Sequence, residues 1–175
     1  MTRTVRAAGL VFALAFAVVF LRPALQAAPV PALTDVRVNA DPPGSQEAET
    51  SLAVNPLDPS NLAAVWMHFS GKTSLGFGFS SDGGATWQDR LIDFPNSFGL
   101  ADPTLVADGH GTFFLAFTIV LSSSGSDVDN YVLRSTDGGA TFSAPVSAGK
   151  FLDKPALGVD PAGGTVYMTG ITRDA

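Results

Sequence analysis

The feature that most constrains this chain is a segment of about fifty residues that recurs. The stretch SSDGGATWQD (80–89) returns as STDGGATFSA (135–144). An apolar run precedes each copy, SLAV or TLVA, and a third run, ALGV, follows later. The residues that open these runs, Ser51, Thr104 and Ala156, are 53 and 52 residues apart. Such a period is typical of proteins built from repeated supersecondary units, so the sequence predicts a repetitive fold.

Each repeat has the pattern of short β-strands. The apolar runs end in turns rich in Pro, Asp or Gly, and aromatic or β-branched stretches follow, namely LAAVWMHF, TFFLAFTIV and TVYMTGI. Third strands (SLGFGFS, YVLRS) lead into the repeated stretch, and fourth strands (WQDRLI, FSAPV) follow it. No helical period occurs after residue 30. The chain is therefore predicted to be all-β, with the four antiparallel strands per repeat that are typical of a β-propeller blade.

The repeats predict where the blades begin and end. The first blade is expected over about 47–98, the second over about 100–148, and the start of a third over about 152–175. A propeller closes with about 4–8 blades, and about six are expected here in the complete ring. Two and a half blades therefore predict that the chain is a fragment of a longer protein.

The first 27 residues are predicted to be a signal peptide. Arg3 and Arg6 precede an uninterrupted apolar run over residues 7–21, and Leu25 and Ala27 fit the −3 and −1 positions of a signal-peptidase site. Fifteen apolar residues are short for a spanning helix, which needs about 20. We expect export to the extracellular space or the periplasm, no stable membrane span after cleavage, and a linker over residues 28–46.

Composition limits the partners. The chain has 10 basic and 16 acidic residues, and removing the leader takes away three arginines and no acid, which leaves a net charge near −9. Such a surface repels phosphate backbones, so nucleic acid is not expected as a partner. The chain has no cysteine, so a packed core rather than disulfides must stabilise it.

The repeated stretch fits the pattern S-x-D-x-G-x-T-[W/F] twice, and it resembles the Asp box, or BNR repeat, of the sialidase superfamily. The glycines permit a tight hairpin, the Asp can accept hydrogen bonds from the turn, and the aromatic residue is expected to point inward. In that family the box lies away from the active centre, so the resemblance implies a structural role. The ten residues are Ser80, Asp82, Gly84, Thr86, Trp87, Ser135, Asp137, Gly139, Thr141 and Phe142.

Candidate ligand-binding residues precede the first strand of each repeat. In a propeller that strand lines the central channel, so Glu49, Asp102 and Lys154, with Asp153 beside the last, should converge at the channel mouth. The alternative is that these residues cap turns, because Asp-Pro and Asp-Lys-Pro are common turn sequences.

The resemblance also implies catalytic groups, and this chain departs from them. The family's first channel strand opens with Arg-Ile-Pro, where this chain has Ala48, Glu49 and Thr50. The family's acid would have to be Asp58, which lies in a turn on the wrong face. Tyr131 and Tyr167 are expected to be core residues rather than nucleophiles. No catalytic residue is therefore assigned.

Metals and cofactors are not expected, because His68 and His110 have no partners at ligand spacing. Two functions stay open. The protein is either a secreted sialidase-like propeller with exo-α-sialidase-type glycosidase activity, or a non-catalytic extracellular propeller that binds glycans, glycoconjugates or proteins. The sequence does not decide whether it is an enzyme.

Overall fold

The repeats fold into antiparallel β-structure in a computed structural model that describes residues 35–42, 44–150 and 153–171. These residues contain ten strands and no helix, so the all-β prediction is confirmed. The strands are β1 (Gln46–Val54), β2 (Leu62–Ser70), β3 (Lys72–Ser80), β4 (Gln88–Ile92), β5 (Gly99–Ala107), β6 (Phe113–Val120), β7 (Val128–Ser135), β8 (Val146–Gly149), β9 (Asp153–Val159) and β10 (Val166–Ile171).

The strands form two four-stranded units and a final pair. Strands β1 to β4 pair in chain order to form the first unit, and β5 to β8 form the second in the same way. Strands β9 and β10 pair with each other. One parallel bridge, Thr73 to Gly99, joins the two units. The first strands of successive units pack side by side, β1 against β5 and β5 against β9.

The core lies between the first and second units. Its fully buried side chains come from β2, β3, β5 and β6, and β6 is buried along nearly its whole length, as a strand covered on both faces should be. Phe77 of β3 meets Phe142, which follows the second hairpin, in a T-shaped contact with ring centroids 4.8 Å apart. The largest buried side chains are Phe77, Phe113, Phe117, Leu75, Leu100, Leu115 and Val65.

One predicted strand is misplaced. The sequence FSAPV (142–146) was expected to form the fourth strand of the second unit, but β8 runs over Val146–Gly149. Pro145 explains the shift, because proline has no N–H to donate to the ladder. Ser143 still donates its backbone N–H to the Arg134 carbonyl at 2.9 Å, so pairing begins and is then interrupted.

The predicted signal peptide, residues 1–27, lies outside the described residues, as does much of the predicted linker. Within the described part of the chain, no helix is long and apolar enough to cross a membrane.

Candidate functional site

The first strand of each unit carries a β-bulge at the equivalent position. In β1 the pairing with β2 shifts between Ala48 and Ser51, so that Glu49 and Thr50 together oppose the single residue Trp66. An extra residue of this kind bends the strand and re-aims its side chains, and bulges are over-represented next to active sites.

The other two bulges follow the same pattern. In β5 the shift lies between Ala101 and Thr104 and takes in Asp102. In β9 the register shift comes directly after Asp153, which pairs with Ile171. Lys154 is therefore one of the bulged residues. The bulges therefore occur at the sites that the repeat alignment made equivalent.

The three bulged residues have a left-handed backbone. Glu49 and Asp102 have φ of 52° and Lys154 has φ of 54°. Among the described residues these three are the only non-glycine residues with positive φ; the other positive-φ positions are glycines. A side chain in this region costs about 1–3 kcal/mol, and such strain clusters at active sites and ligand-binding sites.

The strained residues bring their charges together. Lys154 Nζ lies 2.6 Å from Glu49 Oε1 and 3.1 Å from Asp102 Oδ1. The three side chains therefore lie in contact, and we call them the mouth triad, after the channel mouth at which the sequence predicts them. That a channel opens there stays a prediction. Asp153, the fourth candidate, lies one residue before the bulge. Whether the triad binds a ligand stays a prediction.

The ion pairs favour the charged forms of the Glu49 carboxyl and the Lys154 ammonium. The hydrogen bond from Lys154 lowers the pKa of the Glu49 carboxyl. The hydrogen bonds to Glu49 and then Asp102 keep the pKa of the Lys154 ammonium above its ordinary value. Two carboxylates and one ammonium leave an excess of one negative charge.

A depression of about 290 Å³ lies over the mouth triad, and Thr50, Pro103 and Pro155 complete its lining. The Lys154 side chain is 58% exposed and that of Asp102 only 11%, so the ammonium is open to solvent while the Asp102 carboxylate lies deeper. The depression therefore offers carboxylate acceptors and an ammonium donor in a small space, an arrangement suited to a polar ligand.

The two repeated stretches form hairpins with the same hydrogen bonds. In the first, Ser80 Oγ donates to Asp82 Oδ1 at 2.8 Å and accepts from the Gly84 N–H at 2.9 Å. The Asp82 carboxylate accepts from the backbone N–H and the hydroxyl of Thr86, at 2.8 and 2.6 Å. These bonds lie within the turn, as a structural role requires.

The second hairpin repeats the arrangement. Asp137 accepts from the Ser135 hydroxyl at 2.7 Å, and from the N–H and hydroxyl of Thr141 at 2.9 and 2.5 Å. Its aromatic residue, Phe142, packs on the preceding unit as expected. Trp87 does not, because it folds over its own hairpin and donates Nε1–H to the Gly84 carbonyl at 3.0 Å.

Acid should unfold the protein partly through these hairpins. The hydrogen bonds from Thr86 and Thr141 lower the pKa of Asp82 and Asp137 to about 2. A depressed folded-state pKa gives stability that is present above the unfolded value near 3.8 and lost as the pH falls toward about 2. The urea concentration at the unfolding midpoint should decrease as the pH is lowered through this window. The decrease should be smaller in Asp137→Asn than in the unmodified chain. An unchanged slope in that variant would contradict this origin.

The structure brings together a third group of charged and titratable side chains, which no sequence motif links. His68 of β2, interpreted above as isolated, has Nδ1 3.5 Å from Asp41 Oδ2 and 3.7 Å from Glu47 Oε1. Burial raises the pKa of the Glu47 carboxyl, and the neighbouring Asp41 raises it further. No spacing in the sequence signals this cluster.

The other residues considered in the sequence analysis lie in a turn, beside the core and on an exposed strand. Asp58 accepts from the Ser60 N–H at 3.1 Å in the β1–β2 turn. Tyr131 stacks on Phe117 with ring centroids 6.5 Å apart, as a core residue should. The core prediction is wrong for Tyr167, which is 60% exposed on β10.

Comparisons with known proteins give a fold but no family. No protein-family model matches the chain, and no curated protein matches its sequence. A solved Hadza microbial sialidase matches with 17% identity and a TM-score of 0.51, over 71% of this chain and 31% of the sialidase. A Dyadobacter fermentans protein of unknown function matches with 20% identity and a TM-score of 0.47, over 73% and 42% of the two chains. The chain thus spans less than half of either protein, and the first likeness concerns the fold alone.

Proposed function

We propose that this chain is part of an exported, sialidase-like β-propeller protein whose mouth triad binds a hydroxyl-rich glycan. The observation that carries the proposal is the repeated strain at Glu49, Asp102 and Lys154. If these positions served only as turns, glycine would adopt the same positive φ at a lower conformational cost than Glu, Asp or Lys. Three charged residues in a disfavoured conformation, directed at one spot, are better explained by a ligand than by turn capping.

The propeller arrangement is supported by the way the units stack. Each four-stranded unit packs its first strand beside that of the next, and the Ser51 hydroxyl of β1 accepts from the Leu105 N–H of β5 at 3.1 Å. Neighbouring blades around a channel have this relation. The hairpins support an Asp-box assignment, because both copies of the pattern have the same internal hydrogen bonds.

The chemistry of the mouth triad favours a neutral sugar. Glu49 and Asp102 can accept hydrogen bonds from vicinal hydroxyls, and Lys154 can donate to a ring or hydroxyl oxygen. The excess negative charge disfavours a carboxylate-bearing ligand. Ala48, Glu49 and Thr50 also stand where the sialidase family has Arg-Ile-Pro, so this part of the mouth lacks the guanidinium that would clamp a sialic acid. The leader-like N-terminus supports an extracellular or periplasmic setting for such binding.

Glycan binding should depend on Lys154 and not on Lys150, a lysine of similar exposure outside the mouth triad. We expect the full chain to bind neutral oligosaccharides on an array that also carries sialylated ones, and Lys154→Met to weaken the Kd at least about tenfold by removing a charged donor. Lys150→Met is the matched control, because Lys150 is also exposed and pairs with Asp127 at 3.4 Å; its Kd should stay within about twofold. Equal affinities of the two variants, or no binding to any glycan, would overturn the proposal.

A second candidate, exo-α-sialidase-type hydrolysis by the protein to which this chain belongs, is favoured by the fold likeness to a sialidase. No residue of the described part is assigned a catalytic role. Incubation with a fluorogenic sialoside separates the two candidates. Turnover would favour the hydrolase, whereas glycan binding without turnover would favour the binding propeller.

A further inference from the structure

We propose that Asp41, Glu47 and His68 form a binding site for a divalent transition-metal ion of the Zn²⁺ type, with a fourth position open to water. This proposal is independent of the mouth triad, and no motif in the sequence points to it. The three side chains come from three places along the chain: the segment before β1, the start of β1, and the end of β2.

His68 has a buried ring nitrogen without a hydrogen-bond partner. The His68 side chain is only 8% exposed, and its Nδ1 has no hydrogen-bond partner. Leaving such a group unsatisfied costs about 1–3 kcal/mol. The nitrogen faces Asp41 Oδ2 and Glu47 Oε1, but at 3.5 and 3.7 Å both oxygens lie beyond the usual N–H···O range of about 2.7–3.2 Å. The side chain is therefore aimed at the carboxylates without bonding to them.

The two distances from His68 Nδ1 suit ligands around one ion. Zn²⁺ binds His nitrogen and carboxylate oxygen at about 2.0–2.2 Å, so two ligand atoms in a tetrahedral site lie about 3.3–3.5 Å apart. The distances from His68 Nδ1 are close to this spacing, and all three ligand atoms lie within 4.8 Å of one another. One imidazole and two carboxylates favour a transition metal over Mg²⁺ or Ca²⁺, which prefer six or more oxygen ligands.

Hydrogen bonds from neighbouring side chains orient the two carboxylates. Asn39 Nδ2 donates to Asp41 Oδ2 at 3.0 Å and also to Glu47 Oε1. Arg37 Nε in turn donates to Asn39 Oδ1 at 2.8 Å, which fixes the orientation of the amide. Outer-shell hydrogen bonds of this kind orient metal ligands. The Asp41 and Glu47 side chains are 20% and 25% exposed, which leaves a route for the ion and for a bound water.

An ion pair with a protonated His68 explains the geometry less well. A charged imidazole N–H beside two carboxylates should close to about 2.7–2.9 Å. The longer spacing would accommodate an ion between the three groups, and an ion bound there would offset the two negative charges.

The test is a calorimetric titration of the full chain, free of any histidine tag, with Zn²⁺ alone. We expect one ion per chain and a Kd at least about tenfold weaker in His68→Gln and in Glu47→Gln. His110→Gln is the matched control, since His110 is an exposed histidine in the β5–β6 turn, and it should bind as the unmodified chain does.

Because His68 is buried, its replacement could unfold the chain, so circular dichroism of each metal-free variant accompanies the titration. Glu47 is exposed at the start of β1, and Glu47→Gln should keep the fold and still lose affinity. The visible spectrum of bound Co²⁺ should show tetrahedral coordination in the unmodified chain and lose that signature in both variants. Failure to bind Zn²⁺, or equal binding by folded Glu47→Gln, would overturn the proposal.

Discussion

Replacing Phe77 by alanine is expected to lower the free energy of unfolding by about 3–5 kcal/mol. The ring is fully buried and lies in the core between the two four-stranded units. It meets Phe142 edge to face at 4.8 Å, and the Arg90 guanidinium lies 5.0 Å from its centroid. Truncation would remove the apolar contact and the aromatic pair together, and it would leave a cavity between the units. Urea unfolding followed by circular dichroism would measure the loss.

Two further variants keep this prediction testable. Phe98→Ala removes the same ring from a site that is 59% exposed, so its effect should stay within about 0.5 kcal/mol. If Phe77→Ala does not fold, Phe77→Leu should fold with an intermediate loss, because leucine fills part of the space. Similar midpoints for Phe77→Ala and Phe98→Ala would contradict the assignment of Phe77 to the core.

Much of the strand pattern could be predicted from the sequence, because local chemistry determines it. The repeated apolar runs and the Asp, Pro and Gly turns between them specify where strands begin and end. The hairpin pattern predicted that Asp82 and Asp137 would bind within their own turns, since the Ser, Gly and Thr partners stand at fixed spacing. The fourth strand of the second unit was misplaced because Pro145 interrupts a ladder that hydropathy alone would continue.

The aromatic residues of the two hairpins show a limit of reasoning from repeats. Trp87 and Phe142 occupy equivalent positions, and both were expected to pack between sheets. Phe142 does so because the first unit presents Phe77 to it. Trp87 has no such unit before it among the described residues, and its indole N–H bonds to the Gly84 carbonyl instead. Equivalence in a repeat therefore predicts a position but not the neighbour found there.

The mouth triad could be predicted in part from the repeat alignment, whereas the cluster of Asp41, Glu47 and His68 could not. The β-bulge in β1 is the reason for the second result. The repeat alignment identified Glu49, Asp102 and Lys154 as equivalent, but their left-handed backbone could not be foreseen, because such residues disfavour it. Counting back from the β1–β2 turn without a bulge would set Ala48 opposite His68. The bulge shifts the register by one and brings Glu47 there instead.

Gly139 should be the most sensitive position of the two hairpins. Its φ is +100°, and a Cβ there would lie 2.8 Å from Phe79 Cβ and 3.4 Å from Phe77 Cζ. Gly139→Ala is expected to lower the free energy of unfolding by about 1–2 kcal/mol through the backbone and a further 1–3 kcal/mol through overpacking. Phe79 Cβ is fixed to the backbone of β3, so the clash cannot be relieved by a side-chain rotation. Urea or thermal unfolding of the variant measures the sum.

The equivalent glycine of the first hairpin separates the two contributions. Gly84 has φ of +87°, but a Cβ there would meet only the Trp87 ring, no closer than 3.7 Å. Gly84→Ala should therefore carry the backbone cost alone, about 1–2 kcal/mol. Equal losses in the two variants would mean that the second hairpin does not press on β3 of the first unit. A clearly larger loss in Gly139→Ala would show that this hairpin stabilises the junction between units, because the same substitution in the same turn differs only in what lies beneath it.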